Sequence, residues 1–121
     1  MKNEELGDKK MNIIEVKSFE FAVHIVKFTK KLKSSGVEYA LISQLLKSGT
    51  SIGANVSEAQ NAQSKNDFIS KMSIALKESR ETMYWLRLLK EAEGLQNVEL
   101  LNQINEIISI LTKIVKNSKI N

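Results

Sequence analysis

The chain has 121 residues, of which 42% are hydrophobic and 26% are charged, and this composition is typical of one globular domain rather than a disordered tail or a membrane protein. It contains no cysteine and one histidine, which excludes disulfides, thiol nucleophiles and an ordinary zinc site within one chain. The 18 Lys and Arg residues exceed the 14 Asp and Glu residues, and the net charge of +4 permits attraction to phosphate without requiring it. Proline is absent and only five residues are glycine, so turn-rich all-β folds are disfavoured and long helices are predicted.

The first 17 residues show no sustained hydrophobic period. We therefore predict a loosely ordered leader over 1–17, with Ile13, Ile14 and Val16 as docking points, followed by one domain over 18–121. The leader has no apolar run of the kind that a signal peptide or a membrane span requires, so we expect a cytoplasmic protein with no membrane partner.

Two helices are predicted in the first half of the domain. Ser18 is a suitable N-cap for a helix over 19–34, and Gly36 is a suitable stop. Apolar or glycine residues then recur every three or four positions, which predicts a second, long helix over 37–62.

Two further helices are predicted in the second half. Ser64 and Asp67 resemble a capping box at the start of a helix that continues to Gly94, and Asn97 is the predicted cap of a last helix ending near Asn117. Short connections force consecutive helices to turn back on each other. The predicted fold is an all-α, antiparallel up-down-up-down four-helix bundle.

The predicted first helix is apolar over about 220° of its circumference, whereas one core needs little more than 100°. One stripe consists of Phe19, Ala22, Val23 and Val26, and the other of Phe21, Ile25, Phe28 and Leu32. Two separate partners are therefore implied. His24 falls on the remaining, charged sector, where we expect it to be exposed.

The predicted second helix has no charge from residue 48 to 57, which is unusual for a solvated surface. Gly49 and Gly53 each cost about 1 kcal/mol in a helix relative to alanine, and close approach of another backbone would offset that cost; a kink is the alternative. On the third helix, Trp85 falls outside the core stripe together with Ile74 and Leu88. It is either an interface anchor or a side chain covered by the leader.

These surplus surfaces predict a ring-like homo-oligomer. The candidate interface residues are Phe21, Ile25, Phe28, Ser51, Gly53, Ala54, Glu58, Ile74, Trp85 and Leu88. We expect Glu58 to reach a cation on a neighbouring helix or subunit.

Basic residues cluster on the first and third helices. The candidate nucleic-acid-binding residues are Lys27, Lys30, Lys31, Lys33, Arg80, Arg87 and Lys90. The lysines also complement the dipole at the end of the first helix, and the sequence leaves both interpretations open.

The motifs of common enzymes are missing. The GTSIG segment lacks the Lys-Ser or Lys-Thr of a phosphate-binding loop, and no glutamate has a histidine three residues later, as di-iron bundles require. Glu78 and Glu81 lie beside Lys77 and Arg80 in an ordinary helical ion-pair pattern. We predict a non-enzymatic protein with no catalytic residue, metal or cofactor.

Three segments carry a resemblance to a known family. They are KSFEFAVHIVKF at 17–28, LLKSGTSIGANVSEAQ at 45–60 and DFISKMSIALKESRETMYWLRLL at 67–89. They resemble the bacterial four-helix-bundle proteins encoded in intervening sequences of 23S rRNA genes, a fold group that includes the accessory variability determinants of diversity-generating retroelements. The most specific part is SIGANVSEA, where Ser51, Gly53, Ala54, Asn55 and Glu58 match the family pattern, and the resemblance extends over about residues 17–117.

The resemblance implies a homopentameric barrel of bundles without known enzymatic activity. In the retroelement branch it also implies a basic surface that binds nucleic acid and a reverse transcriptase. The predicted function is thus an oligomeric scaffold that binds RNA, DNA or a nucleoprotein; the alternative is a protein–protein interaction module without nucleic-acid binding.

Overall fold

The computed structural model of the chain describes residues 11–120, which form four helices. These are α1 (Ile13–Ser34), α2 (Tyr39–Ala59), α3 (Lys65–Glu93) and α4 (Val98–Ile120). Within this range each helix packs against the next one, and α4 packs against α1, whereas the backbones of the diagonal pairs α1–α3 and α2–α4 lie farther apart. The predicted all-α up-down bundle is confirmed. Its ring-like assembly remains a prediction.

The start of α1 differs from the prediction. The helix begins at Ile13, and Asn12 rather than Ser18 caps it: Asn12 Oδ1 accepts from the Glu15 amide at 3.0 Å, and Glu15 Oε1 accepts from the Asn12 amide at 3.0 Å. Ser18 is buried inside the helix and donates its hydroxyl to the Glu15 carbonyl at 3.2 Å. Of the predicted leader, residues 1–10 lie outside the described range, and residues 13–17 are helical.

The other helix boundaries follow the predicted signals more closely. Ser64 caps α3 by accepting from the Asp67 amide at 3.0 Å, and Gly94 ends that helix with a left-handed φ of 68°. Asn97 accepts from the Leu100 amide at 3.0 Å and so caps α4. The second helix is shorter than predicted, because the chain tightens after Ala59 into bonds between residues three apart.

The core is built from one apolar stripe of each helix. From α1 it receives Phe21, Ile25, Phe28 and Leu32, all of them buried. This finding corrects the prediction that Phe21, Ile25 and Phe28 form an oligomer interface, because a single chain already buries them. The other α1 stripe remains exposed, with 64% of Phe19 accessible to solvent.

The two glycines within α2 permit close packing against α1 of the same chain. A Cβ atom added at Gly49 would lie 2.9 Å from side-chain carbons of Ile25, and one added at Gly53 would lie 3.2 Å from the Ser18 carbonyl oxygen. The predicted close approach is therefore found, and it is made within one subunit. In the described part of the chain, no helix is long and apolar enough to cross a membrane.

Candidate functional site

The lysines at the end of α1 form an exposed cationic cluster, which we call the α1 lysine cluster (Lys27, Lys30, Lys31 and Lys33). Phe28, Thr29 and Leu32 lie between them in sequence and are buried, so the bundle fixes the helix that carries the lysines. No described carboxylate lies within ion-pair distance of any of the four ammonium groups. Their charge is thus available to an external anion as well as to the helix dipole.

The basic residues of α3 form a separate group. Arg80, Arg87 and Lys90 are exposed, and Arg87 and Lys90 lie towards the same end of the bundle as the α1 lysine cluster, because α1 and α3 run in the same direction. However, α1 and α3 occupy diagonal positions, and their backbones are not adjacent. A single subunit therefore presents the candidate nucleic-acid-binding residues on two separate basic surfaces.

An apolar groove lies between α1 and α2. Its volume is about 310 Å³, and Phe19 and Ala22 of α1 face Gly53 and Ala54 of α2 across it. Val23 and Val26 continue the exposed α1 stripe towards the α1 lysine cluster. Of the predicted interface residues on α2, Ala54 is exposed, and Ser51 and Gly53 are half-buried. The groove thus combines the unused stripe of α1 with the small-residue face of α2.

Glu58 and Asn55 both make contacts within the chain. The Glu58 carboxylate lies 3.1 Å from Lys71 Nζ on α3, which is the cation on a neighbouring helix that the sequence predicts. Asn55 is half-buried and donates from Nδ2 to the Ser51 carbonyl at 2.9 Å. These contacts stabilise α2 and its packing on α3.

The predicted interface residues on α3 lie together near its outer side. Ile74 is exposed, whereas Trp85 and Leu88 are half-buried. Trp85 donates from Nε1 to Glu81 Oε2 at 3.2 Å and packs edge-on against Tyr84, with ring centroids 4.9 Å apart. Tyr84 is not among the residues predicted from sequence. Its position opposite the core stripe of α3 nevertheless indicates an exposed aromatic side chain.

His24 is half-buried rather than exposed, which corrects the expectation for this residue. Its Nδ1 atom lies within hydrogen-bond distance, 3.1 Å, of the side-chain amide of Gln103 on α4. No group of three or more metal-ligating side chains occurs among residues 11–120.

These features define a small all-α bundle with an apolar groove and two basic surfaces. Residues 10–116 match the family model described as 23S rRNA-intervening sequence protein, and the chain belongs to this family. It is also similar to a protein of unknown function from the S23 ribosomal protein family of Bacteroides thetaiotaomicron VPI-5482, whose crystal structure was determined at 1.70 Å resolution. The two chains share 46% identity with a TM-score of 0.82, over 86% of this chain and 99% of the other. No curated protein matches the sequence significantly.

Proposed function

We propose that the protein is a non-enzymatic, self-associating scaffold that binds RNA through the α1 lysine cluster. The observation that carries the proposal is the absence of a described carboxylate partner for four neighbouring exposed lysines. When lysines bind phosphates, they displace the counterions that are condensed on the nucleic acid. The release of these counterions supplies most of the non-specific affinity. The family description associates these proteins with intervening sequences of 23S rRNA, and RNA is therefore the nucleic acid chosen for the test.

Self-association is the second part of the proposal. The groove between α1 and α2 exposes Phe19 and Val23 beside small residues of α2, and a second copy of the chain is its proposed occupant. The resemblance noted above implies five copies. Repetition of one lysine cluster per copy would raise the avidity for a long RNA without any subunit being strongly basic.

The proposal includes no catalytic step, because a chain with one histidine and no cysteine offers few groups for nucleophilic or acid–base chemistry at neutral pH. DNA and a reverse transcriptase, which the resemblance implies as partners, remain predictions.

The experiment that tests this function is RNA binding measured by fluorescence anisotropy between about 50 and 200 mM salt. We expect the logarithm of the affinity to fall linearly with the logarithm of the salt concentration, because each phosphate contact releases counterions. An affinity that is independent of salt would contradict the proposal. The alternative function, a protein–protein interaction module that uses the apolar groove, predicts no RNA binding even at low salt.

A further inference from the structure

A second exposed surface, on α3, places an aromatic ring among cations. Tyr84 is 57% exposed and faces away from the core, and Arg80 and Arg87 lie four residues before and three residues after it. Lys77 lies one helical turn before Arg80, and its side chain is also exposed. At about 100° per residue these four side chains share one side of the helix. We call this surface the Tyr84 ridge (Lys77, Arg80, Tyr84 and Arg87).

Neighbouring side chains hold the ring of Tyr84 in place. The rings of Trp85 and Tyr84 pack in a T-shaped arrangement, with an interplanar angle of 76° and ring centroids 4.9 Å apart. The indole is in turn half-buried and fixed by its hydrogen bond to Glu81, 3.2 Å long. Tyr84 is thus a supported platform, and a ligand that stacks on it would lose little tyrosine side-chain entropy on binding.

The charges around the ring favour an anionic ligand. No described carboxylate lies within ion-pair distance of Lys77, Arg80 or Arg87, and the nearby Glu81 carboxylate is engaged with Trp85. A shallow pocket of about 250 Å³ adjoins the ring and is lined by Tyr84, Arg87, Leu88 and Glu91. Glu91 would repel phosphates at that end, so a bound strand would extend from Arg87 towards Lys77.

We propose that the Tyr84 ridge binds single-stranded nucleic acid, with one base stacked on Tyr84 and the adjacent phosphates held by Arg80 and Arg87. The two arginines are separated by about 10 Å along the helix axis, and their long side chains can reach phosphates on both sides of a stacked base. Only an unpaired base exposes its face to an aromatic side chain, so the ligand is a single strand and not a duplex. This inference rests on the proposed RNA-binding function, adds a second binding surface to the α1 lysine cluster, and names the substrate class.

The ridge is compatible with assembly through the other side of α3. By helical geometry, Ile74 and Trp85 lie on one side of Tyr84, and Arg80 and Arg87 lie on the other. A partner that covers Ile74 would therefore leave the arginines accessible.

The test compares a single-stranded oligoadenylate of about 12 nucleotides with an RNA duplex of the same length. We expect Tyr84→Ala to weaken binding of the single strand by roughly five- to 150-fold and to leave duplex binding unchanged. Tyr84→Phe should bind like the parent protein, because phenylalanine keeps the stacking face. Tyr39→Ala, which removes the other tyrosine of the chain, at an exposed site on α2, is the matched control and should have no effect.

Trp85 supplies a second readout, because it is the only tryptophan and it touches Tyr84. Binding of the single strand should change its fluorescence in the parent protein and in Tyr84→Phe. Unchanged single-strand affinity of a folded Tyr84→Ala variant, or an equal loss in Tyr39→Ala, would overturn the inference while leaving the proposed function intact. Failure of the parent protein to bind either RNA at low salt would instead reject the proposed function together with the ridge.

Discussion

Gly53 of α2 lies against the backbone of Ser18 of α1, so closely that a Cβ atom on the glycine would be 3.2 Å from the Ser18 carbonyl oxygen. One turn earlier, Gly49 meets the side chain of Ile25 in the same way. These two contacts fix the distance between α1 and α2. Ile25 belongs to the buried stripe, so the Gly49 contact is made by the side of α1 that enters the core.

Replacing Gly49 with alanine is predicted to destabilise the subunit. The new methyl group would lie 2.9 Å from two carbons of the Ile25 side chain, which is fully buried. Overpacking of this kind costs about 1–3 kcal/mol, and the better helix propensity of alanine recovers about 1 kcal/mol of it. Chemical denaturation measures the net change in the free energy of unfolding.

A double-mutant cycle gives the control for Gly49→Ala. Ile25→Ala removes the atoms that the new methyl group meets, so Gly49→Ala should cost less in the Ile25→Ala background than in the parent protein. Equal effects in the two backgrounds would show that Gly49 and Ile25 are not in close contact.

The N-terminus of α1 offers a test between two capping residues. Asn12→Ala should lower the free energy of unfolding by about 1 kcal/mol, because it removes the side-chain acceptor for the Glu15 amide. Ser18→Ala should not produce the loss of helix expected for a cap, since Ser18 lies inside the helix. Chemical denaturation followed by circular dichroism measures the free energy of unfolding of both variants. A loss of about 1 kcal/mol in Ser18→Ala and none in Asn12→Ala would instead support a helix that starts after Ser18.

The two phenylalanines at 19 and 21 should separate assembly from stability. Phe19 is 64% exposed at the apolar groove and Phe21 is fully buried, so Phe19→Ala is expected to reduce self-association while the subunit stays folded. Phe21→Ala should cost about 3–5 kcal/mol of subunit stability. Sedimentation velocity and thermal unfolding measure the two effects. If Phe19→Ala leaves the oligomer size unchanged, the apolar groove is not the surface through which the chain self-associates.

Much of the fold could be predicted from sequence because its signals are local. A helix boundary can be set by one capping side chain, as at Ser64 and Asn97, or by one left-handed residue, as at Gly94. The structure confirms all three predicted boundaries. The start of α1 was missed because Asn12 and Ser18 are both acceptable caps. The spacing of Asn12 and Glu15 matches a capping box, whose reciprocal bonds the structure shows, whereas Phe21 stands at the corresponding position after Ser18.

The sequence could not decide which stripe of α1 faces the core. Both stripes are apolar, and the buried one packs against residues of α2, including Gly49, that lie more than 20 residues away in sequence. Phe21, Ile25 and Phe28 were therefore assigned to an interface, although the structure buries them in one chain. The separation of the α1 lysine cluster from the basic residues of α3 also depends on how the helices are arranged. The positions of charged residues along the sequence do not reveal that arrangement.

Binding of RNA by the α1 lysine cluster can be tested by comparing two triple variants with the parent protein. The α1 variant carries glutamine in place of Lys30, Lys31 and Lys33. The control, the α4 variant, carries glutamine in place of three lysines that are exposed at the opposite end of the bundle, Lys113, Lys116 and Lys119. Both variants lose the same charge, so non-specific attraction falls equally. We predict that the α1 variant loses more affinity for single-stranded RNA than the α4 variant does, with a salt slope reduced by about 2 in magnitude. Equal losses in the two variants, or no loss in either, would contradict the claim.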